Sequence, residues 1–382
     1  MKILFLTNIP APYRVDFFNE LGKHCDLTVL YERESSLERN ADWKAGENKT
    51  FRSVFLKGIR TGVDNGFSTQ VLSYIRKFRD QRIIVGGYST PTAMLAIAYM
   101  KWRKIPYFLN ADGGQIAEDS KLRFRVKQFL IRGAAGYLST GSQTDAYFIH
   151  YGAEKDKLHR YPFTSVTEAD VLPAVTGQEE RNRLRKQLGL PEDQKIVIAV
   201  GQFIHRKGFD LLLDLWKEKK PPYLLLLIGG GPLGEVFAQN KSDNVRLVDF
   251  QKKDTLALYY QASDLFVLPT REDIWGLVIN EAMANGLPII STDRCVAAVE
   301  LIENGKNGYV VPVEDREQTF RAIEIIFSEE DRGRKMGAHN IQKIAQHYTI
   351  EEMARTVAAI RKEEEPLHGI ISSDAIGIHY KI

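Results

Sequence analysis

Two carboxylates stand in the segment REDIWGLVINEAMANGLPII (271–290). Asp273 lies just before a helix that should begin at Gly276 and Leu277. Glu281 falls on that helix, among Val278, Ile279, Ala282 and Met283. Burying a carboxylate unpaired is expensive, so hydroxyls, a cation or water must meet Glu281. A vicinal diol offers two O–H donors to one carboxylate, so a ribose is its best partner. A satisfied structural carboxylate is the plainer alternative. Asp273 could hold the hydroxyls of a second sugar, with a diphosphate between them over the helix N-terminus. Two other loops suit that ligand. VGQFIHRKGFD (200–210) runs through Gly201 and Gln202 into His205, Arg206 and Lys207 at a helix start. Free N–H groups beside cations bind phosphate there. LLIGGGP (226–232) places Gly230 and Gly231 after an apolar strand, where backbone can approach a ligand closely. Read singly, these loops are also surface cations and a tight turn. In the first half, Tyr13 and Arg14 of PAPYR follow the first strand and should face the same kind of crevice, or simply pack at a helix start.

The elements that would position these loops alternate along the chain. Strands are expected at 2–7, 26–31, 82–86, 105–109 and 135–139, with helices at 12–21, 68–80, 91–103, 120–133 and 143–151. After a stretch without strand pattern (164–192), strands resume at 195–200, 223–228, 244–249, 264–269, 287–291 and 308–312. Helices between and after them are expected at 207–218, 254–262, 276–285, 296–303, 315–328, 330–346 and 348–365. Near-continuous apolar strands alternating with helices mean parallel sheets covered on both faces. The expectation is an α/β chain of two doubly wound, Rossmann-like domains, 1–165 and 190–347, facing a cleft. The final segment, about 348–382, should cross back to the first domain. Ligands in such sheets sit beyond the carboxyl ends of the strands.

Composition sets the remaining bounds. The chain has 382 residues, 44% hydrophobic and 26% charged, with two cysteines. Two cysteines make no disulfide framework, and no cysteine–histidine cluster suggests zinc. A net charge of +3 gives no case for nucleic acid. No window has the roughly 20 apolar residues of a membrane span. Basic residues are bunched, however, in 74–82, 101–104 and 121–132. These are either solvated helix faces or a surface that meets anionic lipid headgroups or a phosphorylated acceptor.

The segments VGQFIHRKGFDLLL, LLIGGGP, NVRLVDF, YYQASDLFVLPT, DIWGLVINEAMANGLPIISTD and ELIENGKNGYVVP, in this order, resemble the retaining glycosyltransferases of family 4, glycosyl transferases group 1. The resemblance implies the GT-B fold, two facing Rossmann-like domains with an interdomain cleft. It implies transfer of a hexose or N-acetylhexosamine from a nucleotide-diphosphate sugar, with a UDP-sugar favoured, to a glycan or lipid-linked acceptor hydroxyl. Bacterial surface polysaccharide or glycolipid assembly at the cytoplasmic face of the membrane would be the setting. No cofactor beyond the donor and no catalytic metal are implied. Glu281 matches the carboxylate that binds the nucleotide ribose, Asp273 the one that contacts the transferred sugar, and Lys207 the diphosphate-binding lysine. Gly276, Leu277 and Val278 match the turn whose amides meet phosphate and sugar; Phe250 and Gln251 match the base cradle. Asp273 departs from the usual glutamate by one methylene, and Glu272 beside it is out of register. Gln202 replaces a phosphate-binding arginine, a charge that Arg206 would supply from across the loop. CVAAVELI replaces a common glycine pair. Asn110 and Asp112 of LNADGGQ stand where a histidine is common, which makes Asp112 the candidate polar group beside the acceptor. A sugar-nucleotide epimerase or hydrolase, or a non-catalytic sugar-nucleotide-binding protein, would share most of these features.

Overall fold

The computed structural model describes residues 1–34, 46–62, 64–329 and 331–360. The first half contains β1 (Lys2–Thr7), α1 (Pro12–Leu21), β2 (Asp26–Tyr31), β3 (Arg52–Phe55), β4 (Ile59–Arg60), β5 (Gly66–Phe67), α2 (Val71–Lys77), β6 (Arg82–Gly86), α3 (Pro91–Trp102), β7 (Phe108–Asn110), α4 (Lys121–Ile131), β8 (Gly136–Ser139), α5 (Ser142–His150) and β9 (Leu158–Arg160). The second half contains α6 (Gln178–Gln187), β10 (Ile196–Gln202), α7 (Phe209–Lys219), β11 (Leu224–Gly230), α8 (Gly234–Asn240), β12 (Val245–Val248), α9 (Lys253–Ala262), β13 (Leu265–Leu268), α10 (Leu277–Ala284), β14 (Ile289–Thr292), α11 (Val296–Leu301), β15 (Gly308–Val311), α12 (Arg316–Phe327), α13 (Arg332–His347) and α14 (Ile350–Ala359).

Two parallel sheets result, ordered β3-β2-β1-β6-β7-β8-β9 and β12-β11-β10-β13-β14-β15. Their strands are apolar on both faces because helices cover both. Residues 196–199 of β10 and 225–227 of β11 are wholly buried. Each sheet winds outward from its central strand and then returns to that strand's other side. The reversals fall between β1 and β6 and between β10 and β13. Such a switch point opens a crevice at the carboxyl ends. Gln202 and the Lys207 loop leave β10, and the Asp273 loop leaves β13, so the crevice of the second sheet lies between the residues of interest.

Some elements differ from the sequence pattern. The strand expected at 105–109, β7, begins at Phe108 instead, because Lys104 takes a positive φ of 54° and Ile105 and Pro106 lie outside the sheet ladder. Helix α6 lies inside the stretch that showed no regular pattern. It carries almost no apolar stripe; its inward face is Arg181, Leu184 and Arg185. Arg185 donates to Asp264 at 2.6 Å and Arg181 to the other carboxylate oxygen at 3.1 Å, so an ion cluster docks the helix. Edge strands β3 and β9 are short and incompletely buried, which blurs their alternation. The last helix, α14, packs on α1 and buries Ile350, Met353, Ala354 and Val357. Arg82, counted at first with the basic surface of 74–82, is instead buried at the start of β6 and donates to the Val357 carbonyl at 3.5 Å. Residues 361–382, with the rest of the expected crossover segment, lie outside the described residues.

Candidate functional site

The loop after β10 is shaped by a glycine. Gly208 has φ 70°, and a Cβ there would lie 2.1 Å from the Pro269 carbonyl oxygen. This close approach lets the single turn His205–Lys207 sit against the loop that leaves β13. Lys207 Nζ donates to Asp273 Oδ2, with both side chains 12% exposed. Arg206 donates to the Glu272 carbonyl at 2.7 Å and lies 3.7 Å from Asp273 Oδ1. The positive charge that Arg206 was expected to lend beside Gln202 is therefore shared with Asp273. The carboxylate turned inward is Asp273; Glu272 is exposed. Arg271 ties the two loops together. It holds Asp210 in two bonds of 2.8 and 2.7 Å, Glu314 at 2.7 Å and the His205 carbonyl at 2.7 Å. The sequence offered no signal for Arg271 beyond its place beside the acidic pair.

Gly276 caps α10 with φ 102°; a Cβ there would meet Cys295 Sγ at 2.7 Å. Leu277 and Val278 form the first turn and are half-buried. Glu281 follows one turn later. Its Oε1 accepts from Ser165 Oγ at 2.8 Å and its Oε2 from the Tyr260 hydroxyl at 3.4 Å. Burial pushes its carboxyl above the ordinary value, against the lowering pull of Ser165, the Lys253 charge and Tyr260. Neither partner was legible: Ser165 belongs to the segment joining the sheets, and Tyr260 to an ordinary helix.

Gly201 and Gly229 pack backbone on backbone, since a Cβ on Gly229 would lie 1.9 Å from the Gly201 carbonyl. Gly231 does the same against Phe203 at 2.8 Å. Gly230 differs: it is exposed, and no atom lies within 4 Å of where its Cβ would stand. Of these four glycines, Gly230 alone has open space where a side chain would stand. Phe250 and Gln251 follow β12 at the same carboxyl edge, and the Gln251 amide donates to the Asp249 carbonyl at 3.0 Å.

In the first domain the structure brings four polar groups together. Arg14 donates to Asn110 at 3.0 Å and forms an ion pair with Asp112. Asn110 donates to the Tyr161 hydroxyl at 2.7 Å. Arg14 is buried, beneath Tyr13 and 5.3 Å from the Phe163 ring centroid. Burial works against its charge, but Asp112, Tyr161 and Tyr13 outweigh that and hold the guanidinium above its ordinary value. Arg14 is thus a positioning residue under Asp112 rather than an open contact for a ligand.

The two halves meet across the cleft. A Cβ on Gly113 would lie 1.8 Å from the Ile274 carbonyl, so the residues following Asp112 and Asp273 touch. Phe163 meets Trp275 edge to face at 5.7 Å. Gln115 donates to the Arg294 carbonyl at 2.7 Å. Glu300 of α11 accepts from Ser142 at 2.6 Å and the Gln143 amide at 3.1 Å, capping α5 from the other domain. Among the described residues no group of three or more histidine, cysteine or acidic side chains is placed to hold a metal.

Comparison with known proteins fits this geometry. Residues 180–343 match the family model described as Glycosyl transferases group 1. The chain is 28% identical over 200 residues to spore coat protein SA of Bacillus subtilis (strain 168), covering 48% of this chain and 52% of that one. It is 26% identical over 246 residues to the lipopolysaccharide core biosynthesis mannosyltransferase LpsB of Rhizobium meliloti (strain 1021), covering 61% and 67%. It thus spans about half to two thirds of the length of these curated relatives. Among solved structures, Anabaena Alr3699/HepE in complex with UDP has a TM-score of 0.73 at 18% identity, over 94% of this chain and 98% of that one. Residues 180–343 are therefore a Glycosyl transferases group 1 domain, carried in a chain with the GT-B fold.

Proposed function

We propose that this chain is a retaining glycosyltransferase. It moves a hexose or N-acetylhexosamine from a nucleotide-diphosphate sugar to an acceptor hydroxyl in bacterial polysaccharide or glycolipid assembly. One observation carries the reading: Lys207 pairs with Asp273 where the loops leaving β10 and β13 meet at the reversal of the second sheet, and Glu281 stands on α10, the helix that this second loop enters. UDP is the favoured nucleotide, because the solved neighbour at TM-score 0.73 binds it. The LpsB relative, a lipopolysaccharide core mannosyltransferase by name, supports the assembly setting.

Each residue then has a task. Glu281 accepts the two ribose hydroxyls. Gly230 leaves room for the diphosphate, and Lys207 and the amides at the start of α10 meet its charge. That charge grows as the bond between the sugar carbon and the phosphate oxygen breaks, so these groups stabilise the transition state more than the bound donor. Asp273 holds hydroxyls of the departing sugar. The acceptor oxygen attacks that carbon on the face the phosphate leaves, and its proton passes to a phosphate oxygen. Asp112, oriented by Arg14, stands on the acceptor side, and contact between the domains excludes water. The scaffold supplies its own cations, so the reaction is proposed to proceed without a metal.

A thermal-shift panel with UDP, GDP, ADP and their common sugar conjugates, without added metal, tests this. A ligand of the folded state must raise stability. Stabilisation by UDP, followed by radiolabel transfer from a UDP-sugar, is expected. Silence across the panel with folded protein would refute the donor site. Release of free sugar that no acceptor candidate alters would favour a hydrolase.

A further inference from the structure

The cleft leaves unexplained a surface on the first domain. Helix α4 has two apolar faces. Leu130 and Ile131 are buried against the sheet, but Leu122, Val126 and Phe129, spaced i, i+4, i+7, point outward. Leu122 is 74% exposed and Phe129 54%. Trp102, at the end of α3, is 74% exposed. Its ring meets Tyr99 edge to face at 6.1 Å and carries Arg103 at 5.3 Å, while its neighbour Lys101 ties α3 to α4: the ammonium donates to the Arg132 carbonyl at 2.6 Å and lies 4.6 Å from the Phe129 ring centroid. Between α3 and α4 runs a groove of ≈ 490 Å³ lined by Met94, Leu95, Ala98, Val126 and Phe129, with Arg125 its only charged lining residue. Single exposed apolar side chains need no explanation, but a contiguous stripe with a groove does.

Cations border the stripe. Lys121 and Arg125 stand one turn apart beside it, and Arg132 follows at the helix's C-terminal cap. Arg103 and Lys104 follow Trp102. None of these five has a carboxylate partner among the described residues. By contrast, Lys127 on the same helix is bound to Asp119 at 2.8 Å. An apolar row edged by unpaired lysine and arginine, with an interfacial tryptophan, is the pattern of a helix lying in the headgroup region of a bilayer. The basic segment 74–82 does not share it: Arg82 is buried, Arg79 faces Asp80, and Arg76 rests on Tyr99.

From this we infer that the outer face of α4 and the end of α3 bind the surface of an anionic membrane. Leu122, Val126, Phe129 and Trp102 enter the headgroup layer, and Lys121, Arg125, Arg132, Arg103 and Lys104 meet lipid phosphates. The loop that carries Asp112 leads directly into α4, so docking sets the acceptor side of the cleft at the membrane surface. Binding of vesicles needs no nucleotide and stands or falls apart from the donor reading.

Flotation of the full chain with vesicles of phosphatidylcholine alone, or with about a third phosphatidylglycerol, tests it. The wild-type chain should float with the anionic vesicles and lose most of that binding in high salt. Lys121→Glu with Arg125→Glu should weaken it by at least about 30-fold. Leu122→Asp with Phe129→Asp should weaken it comparably while the thermal melt and any nucleotide-induced shift stay unchanged. Absence of vesicle binding by the wild type, or binding by both double variants as tight as that of the wild type, overturns the inference. So does concentration-dependent dimerisation abolished by Phe129→Asp, which would give the face to a second copy of the chain.

Discussion

Glu281→Gln separates a ligand-binding carboxylate from a structural one. In the ligand-free protein the exchange is nearly free of lost bonds. Ser165 can still donate to the amide oxygen, and the Tyr260 hydroxyl can turn to accept from the amide nitrogen. What disappears is a half-buried charge. Glu281 holds its proton more tightly folded than unfolded. Its contribution to stability is therefore greatest below the unfolded carboxyl value and is lost as pH rises through the raised folded value. Glu281→Gln should be more stable than wild type near pH 7, and the gain should vanish in acid. Nucleotide binding should move the other way. A diol needs two acceptor oxygens and glutamine has one, so at least one charge-assisted hydrogen bond goes, about 2 kcal/mol or about 30-fold in affinity. Ligand at a hundred times the wild-type dissociation constant stabilises by about 2.7 kcal/mol, and that should fall to about 0.9 kcal/mol. The assay is thermal unfolding from pH 5 to 8 with and without UDP. Loss of stability in the ligand-free variant, with an undiminished UDP shift, would show that Glu281 is only a structural carboxylate held by Ser165 and Tyr260.

Three further substitutions probe the rest of the arrangement. Lys207→Ala should lower turnover about 10²- to 10³-fold, as loss of one preorganised donor to a developing oxyanion does; a change confined to nucleotide affinity, read by titration, would indicate a sensor. Gly113→Ala drives a Cβ into the Ile274 carbonyl and should hold the domains apart, cutting transfer about 100-fold while UDP still shifts the melt; unchanged turnover and an unchanged scattering radius would show that this contact is dispensable. Asp264→Ala strands Arg181 and Arg185 in the interior and should cost about 3–5 kcal/mol in urea unfolding, against which a loss below about 1 kcal/mol would tell.

The legible parts of this molecule are those written as periodicity. Apolar runs such as KIVIAV and YLLLLI gave the central strands of the second sheet nearly to the residue, because burial on both faces admits little else. The loops at the carboxyl ends of β10 and β13 were readable as neighbours, and Lys207 does meet Asp273 there, since topology puts strand ends together whatever lies between them. What stayed hidden depends on pairings across long sequence distances. Helix α6 is held by its arginines on Asp264, so its own sequence carries almost no apolar signature. Arg14 reads equally as a cleft residue or as packing at a helix start, because nothing near it reveals that Asn110 and Asp112 would enclose it. Ser165, Arg271 and Glu300 act through partners more than 40 residues away, and a serine, arginine or glutamate alone announces no partner.

Both site carboxylates have partners within the chain: Asp273 has Lys207, and Glu281 has Ser165 and Tyr260. That is what their burial requires, and it makes donor binding an exchange of partners. Ser165 is the informative case, because it sits on the segment that joins the two sheets. If a ribose hydroxyl takes its place on Oε1, the joining segment is released as the nucleotide arrives, and donor binding is coupled to movement between the domains. Ser165→Ala should then destabilise the ligand-free chain by about 1 kcal/mol, the worth of one hydrogen bond. The same energy is no longer spent in displacing the serine, so UDP should bind up to about 5-fold more tightly. Calorimetric titration of wild type and variant decides it. Weaker UDP binding by Ser165→Ala would mean that the hydroxyl stays in place beside the ribose and fixes Glu281 for it, and the joining segment would then be part of the donor site rather than a group the donor removes.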